Sequence, residues 1–401
     1  MSTETPVADR PTTWTRPPEQ ARPARARRAL ARLGHAVCTT RAPYQAAVLR
    51  IGLALTIAAF LLREWPQRRV LYGDRSPLSY EMALELSRTD GSFSLLYWSD
   101  GRLWFEIVYT LTVAAAVAVM VGWRTRTMSV LLMVGVLSLE NRNTLVGDGG
   151  DNVLKIMVIY LVFTRCAQVW SLDARRRNSE GSSGADRTGV ALWSATGLFL
   201  LVAFGLDTGW PLVLWTLWGV QGLWYAVGRR LPDSEVRAVL DAASAMLHNT
   251  AMLTVAVQVC LIYSTSGWYK IQGSRWQEGS ALHYALSLEY FEPWPWLSGL
   301  LAANTLMVLV MSYGTVALQV AFPFTLANRK VKNVLLGVMM LEHMGIAVLL
   351  GIPFFSLAMV TCDAVFLPTA FLMALGTRCA RLPRKLLPRP LLPRSGKAPV
   401  A

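Results

Sequence analysis

The chain has 401 residues, 53% hydrophobic and 16% charged, with a formal net charge of +14. Soluble globular chains carry roughly 45–50% apolar and about 25% charged residues, so charge is what is missing here, and the apolar letters come in long blocks. That composition excludes secreted, cytosolic and fibrous proteins and a peripheral protein on one anchor, and leaves a polytopic membrane protein.

In chain order, residues 1–44 mix Pro, Thr, Ala and Arg without apolar periodicity and read as a disordered basic arm. No apolar core begins before residue 48, so the first span is expected to act as an uncleaved signal anchor. Apolar blocks follow at 45–62, 103–122, 127–139, 153–170, 190–206, 210–227, 249–266, 297–325, 333–351 and 353–376. Each full-length block crosses about 30 Å of hydrocarbon at about 1.5 Å per residue. The expected fold is therefore all-α: a polytopic transmembrane helical bundle of about ten spans, with structured outer loops and disordered basic tails. The transmembrane unit covers 45–376, with an insertion at 173–247, and 377–401 is a second basic, Pro-rich tail.

Ten spans put both termini on one side, and that side then holds 28 of the 39 Lys and Arg residues against 10 on the other. Lys and Arg collect on the cytoplasmic side, so both termini are expected in the cytoplasm of a cell exposing its plasma membrane. The positive charge is a topology signal; the lipid bilayer is the partner it indicates, and nucleic acid is not. None of the five cysteines falls in an outer loop, and no CxxC or Cys/His spacing indicates a metal.

Polar residues near the bilayer are costly and mark function. Lys270 lies in Ser266-Gly267-Trp268-Tyr269-Lys270, just after an apolar block and before Trp276. One reading is a lysine snorkelling from an aromatic belt; the other is a desolvated amine able to act as a base. Spacing does not separate them. Arg50 in the first block has Glu106 in the second as a candidate partner, and Glu342-His343 lies inside the ninth block. Asp148 and Asp151, with Gly149 and Gly150 between them, suit a helix N-cap.

The ordered motifs resemble a known family. They are Leu49-Arg50-Ile51-Gly52, Gly122-Trp123-Arg124-Thr125-Arg126, Asn141-Arg142-Asn143 with Gly149-Gly150-Asp151-Asn152, and Trp170-Ser171-Leu172-Asp173. Ser266-Gly267-Trp268-Tyr269-Lys270 follows with Trp276 and Gly279, and then Glu342-His343. Over residues 43–376 the chain resembles the horizontally transferred transmembrane domain (HTTM) family, related to the membrane part of vitamin K-dependent gamma-carboxylase. The resemblance implies a quinol-dependent enzyme in which Lys270 is the base that deprotonates a reduced isoprenoid quinone, menaquinol or vitamin K-like. It implies a site with Lys270 and His343 catalytic and Arg50, Asn143, Asp151, Asn152 and Trp276 around the cofactor. The substrate would be a secreted peptide or small molecule at the outer face. The chain departs from the carboxylase in having no histidine at 148–152 and only a basic tail after 376, so glutamate carboxylation is not carried over. The alternative is a non-enzymatic membrane protein assisting export or maturation of a secreted peptide, or a transporter.

Overall fold

In the computed structural model, the residues described are 34, 37–179, 187–204 and 209–386. Most of the two expected basic arms and part of the polar linker lie outside them. Among the described residues all regular structure is helical.

Helix α1 (Pro43–Glu64) starts on a proline, whose missing N–H costs nothing in a first turn, and stops before Trp65-Pro66. Helix α2 (Arg102–Val121) runs back beside it. At one end of the pair Arg68 holds Glu106 at 2.9 and 3.0 Å, and the Tyr109 hydroxyl donates to the Leu61 carbonyl at 2.6 Å. At the other end α2 stops on Gly122 (φ 74°), where a Cβ would lie 2.3 Å from Ser171 and 2.4 Å from Arg50. Only glycine fits that turn.

Helix α3 (Thr125–Arg142) returns, its first N–H groups capped by the Asp173 carboxylate, which accepts from Arg124 N, Thr125 N and Thr125 Oγ1. Helix α4 (Gly149–Val162) starts with a capping box: Asp148 accepts from Gly150 N and Asp151 N, and Asp151 accepts from Asp148 N. Helices α5 (Arg187–Phe204) and α6 (Trp210–Arg230) form a hairpin locked by Trp193 and Trp218. Their rings stack at 4.0 Å, and each indole N–H donates to the other residue's carbonyl.

Helix α7 (Glu235–Gln272) is 38 residues long. Helix α8 (Thr305–Thr325) packs beside it, and helix α9 (Arg329–Leu349) packs on α8; the two are capped by Asn304 and Asn328. Helix α10 (Pro353–Asp363) continues through a tight turn to Phe366, then bends by 118° into helix α11 (Thr369–Leu386). The chain is therefore helical through 377–386, where a disordered tail was expected.

Five helices, α1, α2, α7, α8 and α9, are long and apolar enough to cross a membrane, or six if α10 and α11 count as one bent span. Three of the other blocks fall short for visible reasons. Helix α3 carries Arg126 at one end and Glu140 and Arg142 at the other, and α4 has only 14 residues. The 297–325 block is not one span: it breaks into Pro295–Ala302 and α8, because Asn304 takes the Met307 N–H at 3.0 Å and starts a new helix.

The densest packing joins α1, α2, α3, α4 and α10 around Leu53, Tyr109, Leu132, Met157 and Met359. The buried share falls from 61% in α1 to 22% in α8 and 17% in α9. Leu306, Val310, Leu341 and Leu253 accordingly stand exposed. Contiguous apolar faces of this kind need a hydrocarbon environment.

Candidate functional site

Tyr263, Ser266, Gly267 and Lys270 follow one another at three- and four-residue spacing, so they share one face of α7. Gly267 brings that face onto α8: a Cβ there would lie 2.7 Å from Val320 Cγ2 and 3.2 Å from Val320 N. This approach sets Lys270 against Gln319. The ammonium donates to Gln319 Oε1 at 2.8 Å and to Ser266 Oγ at 2.5 Å, and it lies 5.3 Å from the centre of the Trp276 ring. Gln319 in turn donates its Nε2 to Glu342 Oε1 at 3.2 Å. That bond fixes the amide with its oxygen toward the lysine. No carboxylate lies within 4.0 Å of Lys270 among the described residues.

Glu342 Oε2 has no hydrogen-bond partner within 3.5 Å, although the Thr315 side chain stands beside it. The next residue, His343, is buried, and its Nε2 meets the Tyr263 hydroxyl at 3.1 Å. The hydroxyl donates to Asp363 at 2.9 and 3.0 Å. Its single proton is thereby used, so His343 Nε2 carries the proton between the two rings and Nδ1 is left as a bare acceptor. That Nδ1 is buried without a partner. Two unsatisfied acceptors therefore stand on consecutive residues of α9, and the first of these residues, Glu342, is joined through Gln319 to a partly buried ammonium.

Lys270 does not sit at the end of the helix bundle. Helix α8 extends fourteen residues beyond Gln319, about 21 Å, to a cap built from Ser274–Gln277, Ala281–Leu286 and Pro295–Ala302. The cap is pinned to α8 by Tyr313, whose hydroxyl donates to the Gln277 carbonyl, and by Leu282 N, which donates to Ser312 Oγ. Gly279 packs on the Tyr313 ring with φ 72°.

Of the residues read from sequence, Lys270, Trp276 and His343 come together here, and the others stand elsewhere. Arg50 is wholly buried and donates to the carbonyls of Val119, Met120 and Trp170, so it braces the end of α2 rather than pairing with Glu106. Asn143 ties the end of α3 to residues 71–76 through the Leu71 carbonyl and Ser76. Asp151 belongs to the α4 cap, and Asn152 donates to the Asp148 carbonyl at 3.4 Å. The α4 cap is separated from His343 by Phe355, which packs on Gly150 with its backbone and on the histidine with its ring at 5.6 Å. Tyr263, Gln319 and Asp363 were not singled out in the sequence. Their signal was present: each is a polar residue inside an apolar block.

A family model described as HTTM domain matches residues 232–371. Over that stretch the chain is similar to the HTTM domain. Every residue of the Lys270 and His343 clusters lies within that HTTM match, whereas Arg50, Asn143 and Asp151 lie outside it. Neither the curated proteins nor the solved structures yield a match.

Proposed function

We propose that this protein is a plasma-membrane enzyme, with both termini cytoplasmic, that uses a reduced isoprenoid quinone and modifies a secreted peptide or small substrate. The observation that carries this reading is the Lys270 ammonium, held by two neutral acceptors and covered by Trp276. A structural lysine at this depth would be expected to have a carboxylate against it, because an isolated buried charge is expensive. Leaving the pair open keeps the amine available for proton transfer.

The unpartnered atoms fit such a cofactor. Glu342 Oε2 and His343 Nδ1 are acceptors without donors, and a quinol brings two hydroxyl donors, along with reducing equivalents and an apolar ring. With a quinol bound, Lys270 in its neutral amine form would be the group placed to receive a hydroxyl proton at Nζ. Ser266 and Gln319 accept from the protonated form, and Glu342 keeps Gln319 in the required orientation. Tyr263 and Asp363 hold His343 so that Nδ1 points its lone pair away from them. Bilayer-facing α8 and α9 give an apolar compound access from the membrane.

The test is turnover of a reduced short-chain menaquinone by the full-length protein in lipid nanodiscs under oxygen. Wild type is expected to oxidise it, and Lys270→Ala is expected to lose that activity while remaining folded. Absence of turnover in the wild type, with intact folding, would favour the non-enzymatic role in export or transport.

A further inference from the structure

At the opposite end of the bundle from Lys270, a cavity of about 450 Å³ opens between the loop after α4, the start of α3, the end of α6 and the start of α7. Four guanidinium groups line it: Arg126, Arg165, Arg177 and Arg237. They come from three separate stretches of chain, so the fold, not local sequence, has gathered them. The cavity is too large for a gap between packed side chains and falls in the range of small-molecule sites.

The acidic groups nearby do not neutralise this charge. Asp241 accepts from Arg237 Nε at 2.9 Å and lies 3.7 Å from Arg165. Asp173 is taken up by Arg124 N and Thr125, as described above. Arg126 has neither; among the described residues its guanidinium has only the Trp224 ring, at 4.6 Å. Arg237 lies over the same ring at 4.8 Å. Arg165 and Arg237 add like charge close to Arg126.

The walls are held in place before any ligand arrives. Arg165 N donates to His248 Nδ1 at 2.9 Å, and Arg177 Nη2 donates to the Ala167 carbonyl at 2.7 Å. The Ser129 hydroxyl, buried in the cavity wall, has no hydrogen-bond partner. Clustered like charges, an unsatisfied hydroxyl and an open cavity of molecular size together describe a site short of an anion. The planar donor forks of arginine match phosphate oxygens.

We propose that this cavity binds a phosphate-bearing anion, carried either by an acidic lipid headgroup or by a soluble phosphate compound, with Arg126 as its principal ligand. A basic pocket between helices at the charge-rich end of a membrane protein is suited to headgroups. The site is independent of the Lys270 chemistry.

The experiment measures thermal stability of the full-length protein in two settings. The first adds inorganic phosphate in neutral detergent, against chloride at equal ionic strength. The second compares nanodiscs of phosphatidylcholine alone with nanodiscs containing phosphatidylglycerol. A rise with phosphate identifies a soluble source; a rise only with phosphatidylglycerol identifies the headgroup. Arg126→Gln is expected to lose most of that rise, while its own melting temperature without anion is no lower than wild type, because a repelled charge is gone. Arg177→Gln serves as a second variant with a partial loss, and Arg329→Gln, at an exposed position outside the cavity lining, keeps the full response. No rise in either setting, or an equal rise in Arg126→Gln and wild type, overturns the proposal.

Discussion

Lys270 and Glu342 do not touch: Gln319 stands between them, accepting from the ammonium at 2.8 Å and donating to the carboxylate at 3.2 Å. The amide thus serves as a spacer that keeps opposite charges from collapsing into an ion pair. Gln319→Glu puts a carboxylate directly on Lys270. The expected result is a fall in quinol turnover of about 100-fold, within the range that general-base catalysis supplies, with melting temperature unchanged or raised. Turnover and thermal stability of the same preparation check both halves.

Gly267 sets the distance across which this bridge works. A methyl group there meets Val320 Cγ2 and crowds its backbone nitrogen. Gly267→Ala is expected to destabilise by about 1–3 kcal/mol through overpacking. Adding Val320→Ala should recover part of that loss, since it removes the nearer of the two contacts. Thermal denaturation of the two single variants and the double variant forms the cycle that measures it.

The architecture was legible where hydrophobic runs were unbroken, and the Asp148 cap was legible from spacing alone. Lys270 and His343 stood out because a Lys or a His is conspicuous beside apolar letters. Gln319 did not. Taking 297–325 as one span places it near the far end of a membrane crossing from Lys270, and only the break at Asn304 brings the two level. Asp363 and Tyr263 needed the third dimension, since 100 residues separate them. The four arginines of the basic cavity were counted as topology charges, because nothing in a sequence tells a loop arginine in a cavity from one in water.

Glu140 and Asp151 flank Gly147, and both are shielded from water. Burial, then the neighbouring Asp151 charge, raises Glu140 to about 7; burial also raises Asp151 to about 6. A carboxyl with a raised folded-state pKa binds its proton more tightly when folded. Its contribution is complete below the unfolded value near 4.5 and is lost as pH rises through about 7. Stability should therefore fall between those limits. Glu140→Gln is expected to raise stability by about 1–3 kcal/mol at pH 8 and to change it little at pH 4. Melting curves across that range check the sign.

Arg50 gives its donors to three carbonyls at the end of α2 and beyond. Arg50→Met leaves those carbonyls without their charged donor in a buried place, at a cost of about 3–5 kcal/mol. The variant should accumulate poorly, yet the fraction that folds should turn over quinol at the wild-type rate per molecule. Active-site titration alongside total protein separates a brace from a cofactor ligand.

The central claim is that the Lys270 amine accepts the proton. Its most direct measurement is quinol turnover by folded Lys270→Ala in nanodiscs, without and with added ethylamine. The account predicts a loss of about 100-fold or more and a return that grows with amine concentration. Full turnover by folded Lys270→Ala in the absence of amine would contradict it.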